Sequence, residues 1–582
     1  VEKRGGYDKH PATPAGPASR CDTGWPAIVS RLAGLRTRRR CVVAVECYPG
    51  VRLDEVGQAL GGGLRPALVV DTRRALKDAA EIERMCAPHL GDDPVFGRMN
   101  GLSLEDFLDA GRRALLRGQV DRAAGLVLVV GPAATLLAEP DVLVYADLAR
   151  WEIQQRQRRQ EAPSLGSHDE RDRPAKLYKR GFFVDWRAAD RLKRRLLGRA
   201  DWLLDTNDPR APRMIAGEDL RRGLAATVRR PFRVVPFFDP APWGGQWMKD
   251  VCDLPRDAPN YGWCFDCVPE ENSLLLDFGG TRVELPALDL VFRHPRELLG
   301  EAVHARFGDE FPIRFDFLDT MGGGNLSLQV HPLTEYIQDR FGMHYTQDES
   351  YYLLDAGEGA CVYLGLREGI EPEAMVRDLR RAQEGGFSFP AELYVNRWPA
   401  RRHDHFLIPA GTVHCSGKDA MVLEISATPY IFTFKLWDWD RPGLDGRPRP
   451  VHLDHGAANV QWERTTAWVE RELVNRIEPL GAGETWREER TGLHEREFIE
   501  TRRHWFTGRV PHDTGGGVNV LNLVEGEEAV VESPGGAFEP FVVHYAETFV
   551  VPAVVGPYTV RPHGKAEGRR CATIKAFVRT RA

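Results

Sequence analysis

The sequence predicts a multidomain chain: a doubly wound α/β domain followed by two all-β barrels with helical inserts. Three observations carry this. The chain has 582 residues, which at roughly 150 per domain calls for several domains. Up to about residue 238, short β-branched runs alternate with charged helical stretches, the β-α-β-α order of a parallel sheet. After Pro240, Gly, Pro and aromatic residues become frequent and the apolar runs turn short and alternating, which reads as sandwich or barrel.

Taken in order, residues 1–30 are rich in Pro, Gly and Ala without periodicity and predict a flexible tail. Their first six residues lack the apolar stretch of a signal peptide. The α/β domain is expected over 31–238. Its strands are placed at Cys41–Val45, Pro66–Val70, Leu126–Val130 and Phe232–Phe237, with helices at Ala75–Met85 and Ser103–Leu116. Gln154–Lys176 is polar and predicts a surface helix end plus a loop. The first barrel, 239–489, is expected to use strands such as Ser273–Phe278, Ser327–His331, Tyr351–Leu354, Met421–Ile425 and Ile431–Leu436. Pro372–Gln383 starts with Pro and stops before Gly385-Gly386, so it reads as a helical insert, as does Trp462–Arg476. The second barrel, 490–582, has strands at Asn519–Val524, Ala529–Glu532, Thr548–Pro552 and Ala572–Val578.

Composition excludes several classes. Lys and Arg number 78 against 84 Asp and Glu, for a net charge of −6, which is not the balance of a nucleic-acid binder. No apolar run reaches the roughly 18 residues of a membrane helix. Ten cysteines, mostly isolated, fit a reducing cytoplasm better than a disulfide framework. Cys264 and Cys267 form a lone Cys-x-x-Cys, with no second pair at zinc-ribbon spacing. The basic run Arg36 and Arg38–Arg40 reads as a solvated helix end, because it lacks interleaved aromatics.

The chemistry concentrates in 326–414. On a strand, Ser327, Gln329 and His331 point to one face and Leu326, Leu328 and Val330 to the other. Glu349 enters a hydrophobic strand, and Pro409-Ala410-Gly411 fits a tight turn ahead of His414. Gln329, His331, Glu349 and His414 together offer two imidazoles, a carboxylate and an amide oxygen. Such a mixed set suits zinc or another divalent first-row metal with a position left open. Taken singly, each also reads as an ordinary polar residue at a sheet edge.

The motifs at Leu326–Pro332, Tyr352–Asp355, Tyr363–Gly365, Pro409–His414, Leu423–Ile425, Trp437–Arg441 and Gly446–His452 occur in one order at plausible spacing. In this the chain from about 240 to 582 resembles the type I mannose-6-phosphate isomerases, members of the cupin (jelly-roll) superfamily. Trp243–Gly245 and Pro295–Gly300 are similar to that family's opening and its helix before the site. The resemblance implies one metal per chain, zinc, held by Gln329, His331, Glu349 and His414. It implies a cytoplasmic isomerase that interconverts mannose 6-phosphate and fructose 6-phosphate through an enediol. Such a reaction needs a stabilised oxyanion, a tuned base and cations for the phosphate.

Two departures stand out. The family has a Lys two residues before the metal-binding Glu; here it is Gln347. The family's Arg before the Trp-Asp-Trp-Asp element is Lys435, which keeps the charge but loses the planar fork. Lys435 is the candidate cation for enediolate or phosphate, and Glu424 a candidate proton carrier. Ser327, Gln347 and His405 are candidate substrate contacts. The alternative readings are a divergent cupin acting on another sugar phosphate, or a non-catalytic metal- and sugar-binding regulator. The expected partner is the small sugar phosphate, with neither nucleic acid nor membrane, and a homo-oligomer through the N-terminal domain stays open.

In the N-terminal part, Tyr178–Arg187 and Thr206–Pro209 are similar to stretches of uridine-kinase-like proteins. A phosphate-binding loop needs Gly-x4-Gly-Lys-Ser/Thr, whereas Gly50 is followed by Val51-Arg52-Leu53. The expectation is a kinase-like domain that has lost its phosphate cradle. Binding of a nucleotide or sugar, and a purely structural or homo-oligomerising role, stand side by side.

Overall fold

The computed structural model describes residues 6–17, 21–34, 40–443, 446, 449–495 and 497–580. Of the expected features, the first five residues, Arg36, Arg38, Arg39, Arg447 and Pro448 lie outside the described residues. The chain forms two compact units: Ala12–Thr227 with Ser273–His294, and Val1–Pro11 with Val228–Asn272 and Pro295–Ala582.

The first unit holds a seven-stranded sheet. Its parallel strands are Arg40–Cys47, Leu68–Asp71, Gly125–Gly131, Val142–Asp147 and Trp202–Asp205, which lie in the spatial order 2-3-1-4-5. Arg213–Ala216 and Cys21–Thr23 extend it antiparallel. The strand of 40–47 is buried along nearly its whole length, which explains its unbroken apolar run. Val142–Asp147 and Trp202–Asp205 escaped the sequence reading, and each is only six or four residues long. At the end of the first strand, Glu46 is buried and accepts hydrogen bonds from the amides of Ala133 and Thr135. Burial pushes its carboxyl up to about 7 despite these bonds.

Several expectations are corrected here. The tail of 1–30 is not loose throughout. Ala12–Pro14 pairs in parallel with Leu275–Asp277, and Cys21–Thr23 joins the main sheet. Trp25–Ala33 is a helix with Pro in its first turn that buries Ile28 and Leu32. The strand expected at Phe232–Phe237 is Phe237–Asp239, in the second unit. Ser273–Asp277 is a strand, but it belongs to the first unit, where it pairs with Arg282–Pro286. Boundaries at 31 and 238 therefore do not follow the packing. Gln154–Arg158 is not a surface segment either: Arg156 is buried, paired with Glu152 at 2.8 Å and bonded to the carbonyl of Gly50.

The second unit is built from antiparallel sheets. One barrel pairs a six-stranded sheet with a five-stranded sheet. The six-stranded order is His405–Ile408, Glu349–Ala356, Ala420–Ala427, Ile313–Asp319, Trp263–Cys267, Phe237–Asp239. The five-stranded order is Val395–Pro399, Cys361–Leu366, His414–Ser416, Leu328–Val330, Phe434–Trp437. Pro372–Glu384 is the expected helical insert; the second helix is shorter than expected, Thr466–Glu472. A further barrel spans Glu478–Val578, with sheets of six and four strands. Its core is apolar: Phe506, Val510, Leu521, Phe549, Tyr558 and Val560 are all almost fully buried. No helix among the described residues is long and apolar enough to cross a membrane.

Candidate metal centre

Gln329, on the strand Leu328–Val330, is flanked in register by His414 on one side and Lys435 on the other. Glu349 opens the strand Glu349–Ala356 of the six-stranded sheet, in register with Ser426, which in turn faces Arg314. The next row on that face runs Tyr351, Glu424, Asp316. Alternation along each strand therefore gathers Arg314, Asp316, Glu349, Glu424 and Ser426 on one face.

His331, Glu349 and His414 bring their ligand atoms within 4.8 Å of one another, all deeply buried. His331 Nε2 lies 3.1 Å from one Glu349 oxygen, and His414 Nε2 lies 2.8 Å from the other. The Gln329 side-chain amide nitrogen is 3.3 Å from His414 Nε2. Both imidazoles have their Nδ1 on a backbone carbonyl: His331 on Phe432 at 3.2 Å, His414 on Thr412 at 2.8 Å. A carbonyl only accepts, so each Nδ1 carries its hydrogen and each Nε2 is the ring atom turned toward the carboxylate. Burial alone would raise the Glu349 carboxyl, but the two imidazoles hold it well below the usual range. Buried His331 Nε2 and Glu349 Oε1 have no conventional hydrogen-bond partner. Two imidazole nitrogens and a carboxylate converging in a buried site are a donor set that fits a cation.

The turn before His414 is braced. Gly411 has φ +86°, the left-handed region that glycine adopts without strain. Arg464 donates to the carbonyls of Pro409 and Ala410 and to Thr412 Oγ1 at 2.6–2.9 Å. Asp348 accepts from the Ala410 amide at 2.8 Å.

Beside the triad lies a second polar group. Arg314 pairs with Glu424, donates to Ser426 Oγ at 2.9 Å and sits 3.2 Å from Asp316. Gln347 Nε2 bridges Glu349 at 2.9 Å and Glu424 at 3.2 Å. Burial pushes Asp316 up to about 7 and Glu424 well above the carboxylate range, with Arg314 pulling the other way. Burial also brings Lys435 down to about 7, with neighbouring Arg449 adding to the shift. Arg314, Asp316 and Arg464 were absent from the sequence-based site. Arg314 and Asp316 alternate with apolar residues in the strand Ile313–Asp319, Ile-Arg-Phe-Asp-Phe-Leu-Asp, and that alternation was the available signal.

The other candidates are placed as follows. Ser327 turns away to Asp438 Oδ1 at 2.8 Å and receives Arg449 at 2.9 Å. His405 is the correction: it is fully buried and bonds Ser350 Oγ at 2.8 Å. Ser350 follows Glu349, so it points to the opposite face of the strand. Burial drives the His405 imidazole down to about 3, and it does not reach the Glu349 face. Cys264 and Cys267 are buried free thiols, raised by burial.

Comparison with known proteins gives two separate likenesses. A family model described as "Domain of unknown function (DUF8485)" matches residues 24–229. The mannose-6-phosphate isomerase of Streptococcus mutans is 28% identical over 214 residues, 36% of this chain and 62% of its own length. Mannose-6-phosphate isomerase ManA of Bacillus subtilis is 27% identical over 227 residues, 38% of this chain and 65% of its own. The chain thus spans less than two thirds of these curated relatives. Among solved structures, mannose 6-phosphate isomerase from Bacillus subtilis aligns with TM-score 0.49 and 18% identity, over 60% of this chain and 99% of that one. A zinc-bound mannose 6-phosphate isomerase aligns with TM-score 0.46 and 16% identity, over 59% of this chain and 99% of that one. A multidomain chain rich in antiparallel sheet, it is similar over more than a third of its length to mannose-6-phosphate isomerases.

Proposed function

We propose that the barrel of Gln329 and His414 is the site of a metal-dependent aldose–ketose isomerase acting on a hexose phosphate. Mannose 6-phosphate to fructose 6-phosphate is the first reaction to test, because the curated relatives carry that name. The observation that carries the reading is the pair of imidazoles, each anchored through Nδ1, closing on the two oxygens of Glu349. His331, Glu349 and His414, with the Gln329 amide oxygen, would hold the ion. Zinc is the expected ion, since imidazole and carboxylate donors suit it. When bound, it supplies a Lewis acid for the sugar oxygens.

The chain's own groups account for the rest. The isomerisation takes a proton from C2 of the aldose and returns one to C1, while a hydroxyl proton moves from O2 to O1. Glu424 is the proton carrier, held in a low-dielectric site where its carboxyl titrates far above the ordinary range. Arg314 fixes its orientation through the ion pair. Lys435 and the Arg449–Asp438–Ser327 group lie on the five-stranded side and offer positive charge for the phosphate.

A second reading, a different sugar phosphate, has its own support. Gln347 stands where a Lys is expected, and its amide is spent on Glu349 and Glu424. The α/β unit is proposed as kinase-like in descent and without phosphoryl transfer. The deciding experiment couples metal analysis to an assay of mannose 6-phosphate conversion. Bound zinc at one per chain and turnover lost in His414→Ala are the expected results. Protein without metal after preparation in zinc would sink the ligand set and the reaction together.

A further inference from the structure

Gln347 is 2% exposed and stands two residues before Glu349. Its segment is tied to each element that builds the metal centre. Thr346 Oγ1 donates to the carbonyl of Pro332, next to His331. The Asp348 carboxylate accepts from the Ala410 amide in the turn before His414. The Asp348 carbonyl accepts from the Ala427 amide, on the strand of Glu424, at 2.9 Å. A backbone fixed on both sides thus delivers the Gln347 side chain between Glu349 and Glu424.

A primary amide nitrogen carries two hydrogens, and both are engaged here. Gln347 Nε2 lies 2.9 Å from Glu349 Oε2 and 3.2 Å from Glu424 Oε1. The reverse orientation would set the amide oxygen against two carboxyl groups, so the nitrogen is the atom that faces them. Nothing remains on that nitrogen to donate to a sugar. The sequence offered Gln347 as a substrate contact; its burial and its spent donors argue for another role.

Each carboxyl is held by further groups, and Gln347 links the two sets. Glu349 Oε2 also faces His331 Nε2 at 3.1 Å, while Oε1 faces His414. Glu424 Oε1 also receives Arg314 and, at 3.1 Å, Ser426 Oγ. Two carboxyl groups that share one donor are close neighbours. Without it, their oxygens would face each other as acceptors in a buried site. The shared N–H₂ group does this work without a net charge. A Lys ammonium in its place would also donate to both, but it would cancel part of the negative charge that draws a cation to Glu349.

We propose that Gln347 is a positioning residue: one neutral amide holds the metal ligand Glu349 and the proton carrier Glu424 in fixed orientation to each other. This rests on the reading of His331, Glu349 and His414 as metal ligands and of Glu424 as the proton carrier. The test uses the full chain with Gln347→Met, which keeps the length and removes both donors, and Gln347→Lys, which keeps donors and adds a charge. Zinc affinity is measured by competition with a chromophoric chelator, and turnover of mannose 6-phosphate at saturating zinc. Gln347→Met should weaken zinc binding by about 10- to 100-fold and lower kcat by a similar factor, with KM near wild type. Gln347→Lys should recover kcat relative to Gln347→Met and still bind zinc more weakly than wild type. Once Glu424→Gln is in place, Gln347→Met should cost little further kcat. Zinc affinity equal to wild type in Gln347→Met would overturn the proposal, as would a raised KM with kcat unchanged, the mark of a substrate contact. So would failure of both variants to fold, which would make Gln347 a structural residue. The zinc comparison needs no substrate: wild type that binds zinc without converting mannose 6-phosphate removes the isomerase reading and leaves that comparison to decide. Wild type that takes up no zinc removes both.

Discussion

Arg314 and Glu424 form a buried ion pair between adjacent antiparallel strands, one register step from Glu349. Each is only 5% exposed. The pair places a fixed positive charge against a carboxyl whose burial favours its protonated form. Glu424→Gln keeps the shape and removes the proton. Turnover should fall by about 10²- to 10⁴-fold, the usual worth of a positioned acid–base group. Metal content should stay at the wild-type value. Unchanged turnover in a metal-loaded variant would remove Glu424 from the chemistry.

His414→Ala strips one imidazole from the triad and leaves Glu349 facing His331 alone. Losing the metal's charge stabilisation, worth several kcal/mol, corresponds to about a thousandfold in rate or more. Zinc measured by emission spectroscopy should drop in parallel. Retained zinc with lost activity would mean that His414 touches substrate and not the ion.

Lys435→Arg restores a planar fork beside Gln329. A two-point contact to the developing oxyanion or the phosphate should raise kcat/KM for mannose 6-phosphate by about tenfold. A fall in activity toward mannose 6-phosphate would show that the site is shaped around Lys, and hence around another sugar.

Gly411→Ala tests the brace of the turn. A Cβ there would meet the Asn459 carbonyl at 2.9 Å, Gln461 Cγ at 2.7 Å and Leu333 Cδ2 at 3.0 Å, at a φ of +86°. The expected cost is about 1–3 kcal/mol in urea unfolding, together with weaker zinc retention. Stability equal to wild type would mean that the turn relaxes without disturbing His414.

The C-terminal barrel carries its own pH dependence. His504 is 2% exposed, and burial lowers its imidazole from 6.5 to about 4. The neutral form is therefore the folded one. Its contribution is fully present above pH 6.5 and is lost as pH falls toward 4, by about 3 kcal/mol. Glu488, lowered to about 2 by its bond to His504, adds a further loss below pH 4.5. Urea midpoints recorded from pH 7 to pH 4 should decline, and His504→Gln should flatten the decline above pH 4.5. An equal slope in both proteins would assign the acid sensitivity elsewhere.

The grouping of His331, Glu349 and His414 was legible because these residues lie in short motifs. Ser-x-Gln-x-His places two donors two residues apart on one strand face, and Pro-x-Gly-x-x-His announces a turn and the donor after it. Arg314 and Asp316 were missed although they alternate with apolar residues, because alternation alone does not say what lies opposite each face. Only the pairing of their strand with Ala420–Ala427 puts them beside Glu424. His405 failed for the opposite reason. Its nearness in sequence to His414 suggested a shared cavity, but the parity of its strand sends it to Ser350. In the α/β unit, apolar runs gave the strands near residues 41–45, 66–70 and 126–130 but not Val142–Asp147 or Trp202–Asp205, while Cys21–Thr23 and Arg213–Ala216 are too short to show a period. Order at the N-terminus was hidden because Ala12–Pro14 finds its partner more than 250 residues later, at Leu275–Asp277.

That last pairing has a bearing on synthesis. Chains emerge from the ribosome N-terminus first, and a domain completes only when its last segment is out. The α/β unit needs Ser273–His294, so translation must pass through Val228–Asn272 of the other unit before it can close. The barrel unit likewise draws on residues that precede the α/β unit: the Tyr7 hydroxyl donates to Asp266, and Arg233 donates to the Asp8 carbonyl. Neither half is a cassette that a single cut could release intact. A nascent chain halted at residue 240 would hold Ala12–Pro14 without the hairpin it pairs with, Ser273–Asp277 and Arg282–Pro286.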